Sequence, residues 1–166
     1  GDPKASADVA ALGALSQAVF GETSPLYRSL VLDKQTAVVL MAEAEEKRDP
    51  SLFRVLARVR SADALTEVRT QIESALTEAA EQSIDAKRLD AIKAHLRYEF
   101  AASLQSPDAV AMAVGHSIAI TGRPDAMNDL YAAYDRLTPS DLQRVAKTYF
   151  QPSNRTLVIL ESETKP

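Results

Sequence analysis

The side chains best suited to hold a metal or move a proton are few in this chain. There are two histidines, His95 and His116, on separate predicted helices. His95 and Glu99 stand four positions apart, which puts both on one helical face, the spacing that a pair of zinc ligands requires. A zinc centre needs at least one more protein ligand, and no second histidine lies nearby in sequence. Lys93 and Arg97 flank His95, so an exposed face carrying a His95–Glu99 hydrogen bond is the expectation. His116 follows Gly115 in an apolar helix and reads as a packing or surface residue. With no cysteine, thiolate metal sites, disulfides and cysteine nucleophiles are all excluded. Five glycines are too scattered to cradle a phosphate, and no nucleophile elbow is present. The carboxylate pairs Glu45–Glu46 and Glu161/Glu163 sit among mixed charges, with nothing apolar around them to shift a pKa. Tyr131, Tyr134 and Tyr149 have helical spacing, which predicts core packing with hydroxyls at the rim. No catalytic residue and no metal ligand is assigned on this basis.

The elements that would position such groups belong to one domain. At 166 residues the chain can bury about 70% of its unfolded surface, enough for a core without staples. A net charge of −4 and the lack of a basic stripe argue against nucleic acid as a partner. No run of 18 apolar residues occurs, so no transmembrane segment is predicted. The opening Gly1-Asp2-Pro3-Lys4 is not a signal peptide, and residues 1–5 read as a trimmed or added terminus ahead of a single domain over 6–166.

Ser6 is the expected cap of a first helix with Val9, Leu12, Leu15 and Val19 at helical spacing, ended by Gly21. Ser24 before Pro25 predicts a short helix running through Leu32. The period then changes to two. Val38, Leu40, Ala42 and Ala44 alternate with Val39, Met41, Glu43 and Glu45, and Phe53, Val55, Ala57 and Val59 with Arg54, Arg58 and Arg60. Turn chemistry at Lys47-Arg48-Asp49-Pro50-Ser51 makes these an antiparallel hairpin over 37–46 and 52–60. Five helices follow from Asp63, with an Asp85 cap, a Pro107 start, a Gly122-Arg123-Pro124-Asp125 break and Pro152 closing the last. One of them carries the apolar stripe Val110, Val114 and Ile118. Thr156–Leu160 is a β-rich run suited to a buried third strand over 156–161. The expected fold is therefore α+β, an antiparallel sheet of at least three strands packed against several long helices.

Several of these segments, in this order, resemble the second domain of pitrilysin/insulinase-type zinc peptidases. The first helix leading into Ser24-Pro25-Leu26-Tyr27-Arg28-Ser29-Leu30 is similar to the family's passage into "S-x-L-Y-x-x-L", and the hairpin 37–60 to the strands that follow it. Ile84-Asp85-Ala86-Lys87-Arg88-Leu89-Asp90-Ala91-Ile92-Lys93 resembles a helix start of the family. Thr138-Pro139-Ser140-Asp141 through Tyr149-Phe150, then Pro152-Ser153-Asn154 and Thr156–Leu160, gives the best match. Together they span nearly the whole chain.

The resemblance implies an enzyme of two similar halves, or paired subunits, that close around a peptide. Zinc and the base glutamate lie on the first domain, in H-x-x-E-H, and this chain has no such helix. Zinc is thus expected in an N-terminal domain of the same protein, with no cofactor in this chain. In the family an arginine and a tyrosine after "L-Y-x-x-L" help to stabilise the transition state. The matching positions here are Val31 and Val38, and valine can neither donate a hydrogen bond nor stabilise an oxyanion.

The implied role is a non-catalytic C-terminal domain of a zinc metalloendopeptidase, helping to form a peptide-binding chamber and a subunit interface. Its partners would be the N-terminal zinc-binding domain, a second family subunit and a peptide substrate. The alternatives are an inactive scaffold or assembly module of the same family and a stand-alone helical interaction domain. Arg28, Arg54, Arg58 and Arg60 are the candidate substrate or partner contacts, beside the plainer reading of the strand arginines as a solvated face. A strand precedes the first helix in the family, so its sheet would be completed by chain ahead of residue 6. Many bacterial relatives are exported, which leans toward the periplasm or cell envelope.

Overall fold

The computed structural model describes residues 3–44, 47–49 and 51–161, with side chains described from residue 7 onward. Glu45, Glu46, Pro50 and Glu163 lie outside the described residues. Helix α1 (Pro3–Phe20) is the central element. Its first residue is a proline, whose missing N–H costs nothing in a first helical turn, so the helix starts ahead of the Ser6 cap expected from the sequence. Ala10, Ala11, Ala14, Leu15 and Ala18 are all buried along α1. Side chains this small let neighbouring backbones come close, and α1 packs on α4 (Ala86–Ser103), α6 (Ala126–Arg136), α7 (Pro139–Tyr149) and strand β1 (Ala37–Ala44).

Between α1 and β1 the buried Ser24 hydroxyl accepts the Tyr27 N–H at 3.0 Å, and Pro25 opens the short helix α2 (Pro25–Tyr27). The chain does not continue as an α-helix to Leu32. It widens into a π-helical turn, Arg28–Asp33, with the Lys34 N–H donating to the Ser29 carbonyl at 2.9 Å. Gln35 then adopts φ 52°, in the left-handed region, and its carbonyl accepts Arg60 Nε at 2.9 Å. Leu30, within this turn, is fully buried.

Strand β1 pairs antiparallel with β2 (Phe53–Val59). The register runs from Ala44↔Phe53 to Val39↔Arg58, then slips so that Ala37 faces Val59. That bulge alters the predicted alternation: Ala37 and Leu40 are both buried, whereas Val38 is turned out and 41% exposed. Among the described residues the sheet has these two strands only. The expected third strand at 156–161 is not formed among the described residues. Thr156–Leu160 joins no ladder, and Leu157, Val158, Ile159 and Leu160 are exposed. A β-rich composition makes a strand only where an edge receives it.

The rest is helical: α3 (Leu65–Glu81), α4, α5 (Pro107–Thr121), α6 and α7. Asp85, Ser106 and Thr138 cap α4, α5 and α7 through their side chains, and Gly122 ends α5 at φ 76°. One apolar cluster joins α1, α4, α6 and α7 through Leu15, Leu89, Ile92, Leu137, Leu142 and Val145. The other joins the hairpin to α1 and α3 through Phe20, Leu30, Leu40, Val68 and Leu76. Phe53 links the C-terminal ends of α1 and α7, with ring centroids 6.2 Å from Phe20 and 4.9 Å from Phe150. The stripe expected on α5 is not a core face. Val110 and Ile118 are exposed, and the buried residue is Ser117, whose hydroxyl donates to the Arg123 carbonyl at 2.8 Å.

Helix α7 shows how local chemistry and packing combine. Thr138 Oγ1 accepts the Asp141 N–H and donates to Asp141 Oδ2, while the Thr138 N–H also donates to that carboxylate. The Thr138 hydroxyl holds the Asp141 carboxyl below the usual carboxylate range against an opposing effect of burial. Its stabilisation is therefore complete near neutrality and disappears as pH falls through that lowered value. Leu142→Ala in the adjoining core is expected to cost about 3 kcal/mol, and Thr138→Ala about 1 kcal/mol, in urea denaturation at neutral pH. At acid pH, with Asp141 protonated, the cost of Thr138→Ala shrinks.

Candidate functional site

His95 and Glu99 lie on the exposed side of α4, His95 Nε2 3.3 Å from Glu99 Oε1, as the sequence spacing predicts. His116 is exposed on α5, and Glu161 is exposed near the C-terminal end of the described chain. Among the described residues no three of His, Asp and Glu converge as a metal would need. The tyrosines divide. Tyr131 stacks on Phe100 at 3.7 Å between centroids, and Tyr134 packs beside it and against Gly13 of α1, where a Cβ would collide with the phenol. Tyr149 is different and belongs to the group described below.

The four candidate arginines do not form one cluster. Arg28 lies on the π turn, with Asp33 4.0 Å away. Arg54, Arg58 and Arg60 point outward from β2 and the residue after it, on one side of the hairpin. Arg54 pairs with Glu43 across the strands, and Arg60 is anchored on the Gln35 carbonyl. Between them Met41 faces Leu56, 46% and 58% exposed, and Arg58 faces Val39. The hairpin's outer face is thus an aliphatic centre with guanidinium groups around it. Val31 and Val38, the positions matched to the family arginine and tyrosine, part company: Val31 packs against the hairpin core while Val38 is exposed at the bulge.

A polar group absent from the sequence reading sits between the first and last helices. Asp8, buried in α1, accepts Arg144 Nη2 on Oδ1 at 2.8 Å and the Tyr149 hydroxyl on Oδ2 at 2.9 Å. Both donors come from α7, five residues apart. Asp8 looks in sequence like any polar residue early in a helix, and its partners lie 136 and 141 positions away. The proximity of Asp8 raises Arg144 and Tyr149 above their ordinary values, in both cases chiefly through the hydrogen bond. A carboxylate with both oxygens occupied in this way is a clasp rather than a free base. Beside it, Ala7, Asp129, Ala133, Arg136, Leu137, Asp141 and Arg144 line a shallow cleft of about 180 Å³. The other buried polar groups are also satisfied: Lys93 Nζ donates to the Asp135 carbonyl at 3.1 Å, and Ser24 caps α2.

Because Asp8 holds the phenolic proton in place, Tyr149 ionises above the ordinary tyrosine range. The clasp's contribution to stability is present below the unfolded tyrosine value and falls as pH rises through the folded one. Asp8→Asn should lower the Tyr149 transition toward the ordinary range in an ultraviolet titration, with Tyr149→Phe identifying the transition. It should also destabilise the fold by about 2 kcal/mol at neutral pH, since Arg144 loses its charged partner.

No protein-family model matches the chain, and no curated protein sequence matches it. Solved structures do. The chain is similar to a protease from Helicobacter pylori, with 27% identity and a TM-score of 0.77 over 89% of its own length. It spans only 36% of that protein. It is also similar to a predicted zinc protease from Bordetella pertussis Tohama I, with 19% identity, a TM-score of 0.73 and coverage of 90% of this chain and 83% of the other. A third likeness is to the inactive peptidase domain of a predicted zinc protease from Bordetella parapertussis, with 19% identity, a TM-score of 0.76 and coverage of 94% and 82%.

Proposed function

Starting from a chain that has the fold of a pitrilysin-like zinc-protease peptidase domain, we propose that it is the non-catalytic C-terminal domain of a zinc metalloendopeptidase. Its task is to form part of the wall of a peptide-binding chamber and part of a subunit interface. The observation that carries this reading is the likeness to an inactive peptidase domain over 94% of the chain. The sequence agrees with it: H-x-x-E-H is absent, and valines stand at positions 31 and 38. The zinc belongs to an N-terminal domain of the same protein, and an arginine and a tyrosine come from a second family subunit.

The fold leaves places for such partners. Among the described residues no third strand pairs with the outer edge of β1 or of β2, and a strand edge offers main-chain donors and acceptors to an incoming strand. The exposed Thr156–Leu160 run has four successive large aliphatic residues, so its side chains need cover on both faces of a strand. In the complete enzyme this run is the third strand, joined by chain from a neighbouring domain.

Supplied with zinc, the isolated chain is expected neither to bind the metal tightly nor to cleave a fluorogenic peptide. Tagged chain returned to its source cells should co-purify with a polypeptide bearing H-x-x-E-H, and chelator-sensitive cleavage should appear only in that complex. Chelator-sensitive turnover by the chain alone would sink the proposal.

A further inference from the structure

From the outer face of the hairpin we infer that this domain selects peptides, holding an aliphatic segment flanked by carboxylates. The inference rests on the chamber-wall reading above and adds to it the chemistry of what is held.

Met41 and Leu56 sit directly opposite one another in the register at the middle of that face, and both are about half exposed. Val38, turned out by the bulge, extends the aliphatic surface toward one end. Arg58 stands exposed beside the pair, opposite Val39. Arg60 is fixed at one end by its bond to the Gln35 carbonyl, and Arg54 at the other by Glu43. Tethered arginines lose less side-chain freedom on meeting a ligand than freely rotating ones. An apolar centre with a polar rim containing arginine is the usual anatomy of a recognition surface.

Charge decides the sign of the ligand. The chain as a whole carries −4, yet among the described residues this face sets three arginines against one glutamate. A peptide rich in lysine or arginine would be repelled here and drawn elsewhere on the molecule. Size decides its kind. Stable protein interfaces use roughly 20–30 residues a side, and two short strands supply far fewer, so the face suits a short peptide segment held transiently. With aliphatic side chains over Met41 and Leu56, carboxylates on one side of them reach Arg58 and Arg60, and those on the other side meet Arg54.

The test uses three labelled peptides and the full chain. One has three leucines between two runs of three glutamates, the second replaces the glutamates by lysines, and the third replaces the leucines by serines. In fluorescence anisotropy at low salt, the Glu/Leu peptide should bind at least tenfold more tightly than either control and should weaken as salt is added. Amide shifts on binding should map to 37–44 and 53–60. Arg58→Glu and, separately, Leu56→Ser should each weaken binding about tenfold, and because both residues are exposed the thermal unfolding curve should not move. Equal binding of the lysine or serine peptide, insensitivity to Arg58→Glu, or shifts confined to other surfaces would overturn the inference. Co-purification of the zinc-bearing polypeptide reports on the chamber reading separately, so a chain that assembles but ignores the Glu/Leu peptide refutes this inference alone.

Discussion

The alanine face of α1 governs the spacing of everything around it. With Ala10, Ala11, Ala14 and Ala18 buried at the centre, the flanking helices and strand β1 come close to one helical backbone from opposite sides. A larger side chain at any of these positions would push against close-packed neighbours that have no slack to give. The same closeness brings Asp8 within hydrogen-bond range of Arg144 and Tyr149, and sets Gly13 directly beneath the Tyr134 phenol. Packing and polar contacts on α1 therefore go together: the clasp needs the short interhelical distance, and it ties α7 to α1 at two points.

Signals confined to a few residues were legible in the sequence. Ser24 before Pro25, Asp85, Thr138 with Asp141, and Gly122 act where their types predict, because a cap and its partner lie within one turn. The hairpin and the orientation of Arg54 and Arg58 also followed from period-two alternation. What could not be read were the choices made by distant parts of the chain. The bulge at Val38 and the buried role of Asp8 answer to neighbours far away in sequence, and the stripe of α5 is exposed because no neighbour covers it. Thr156–Leu160 carries the right residues for a strand and still forms none, since strand formation belongs to a pair and not to a segment.

The candidate site was legible in a different way. Its arginines were visible as one side of an alternating strand, but not the Met41–Leu56 pair they surround, because that pairing needs the register. Only the register turns separate strand residues into a surface with a centre and a rim. Fold likeness supplies the setting for such a surface, and the chemistry has to be argued from the side chains themselves.

The clasp between Asp8 and α7 also constrains how the molecule is made. A carboxylate in the first helix waits for donors 136 and 141 residues later, and the alanine face around it waits for Leu142 and Val145. On a ribosome adding roughly 5–20 residues per second, α1 stays without its final cover for several seconds. The hairpin core can form early around Leu30, Leu40 and Val68, whereas the helical core closes only after the last helix has emerged. Synthesis thus imposes an order on the two cores, with the carboxyl-terminal helix arriving last to lock the amino-terminal one.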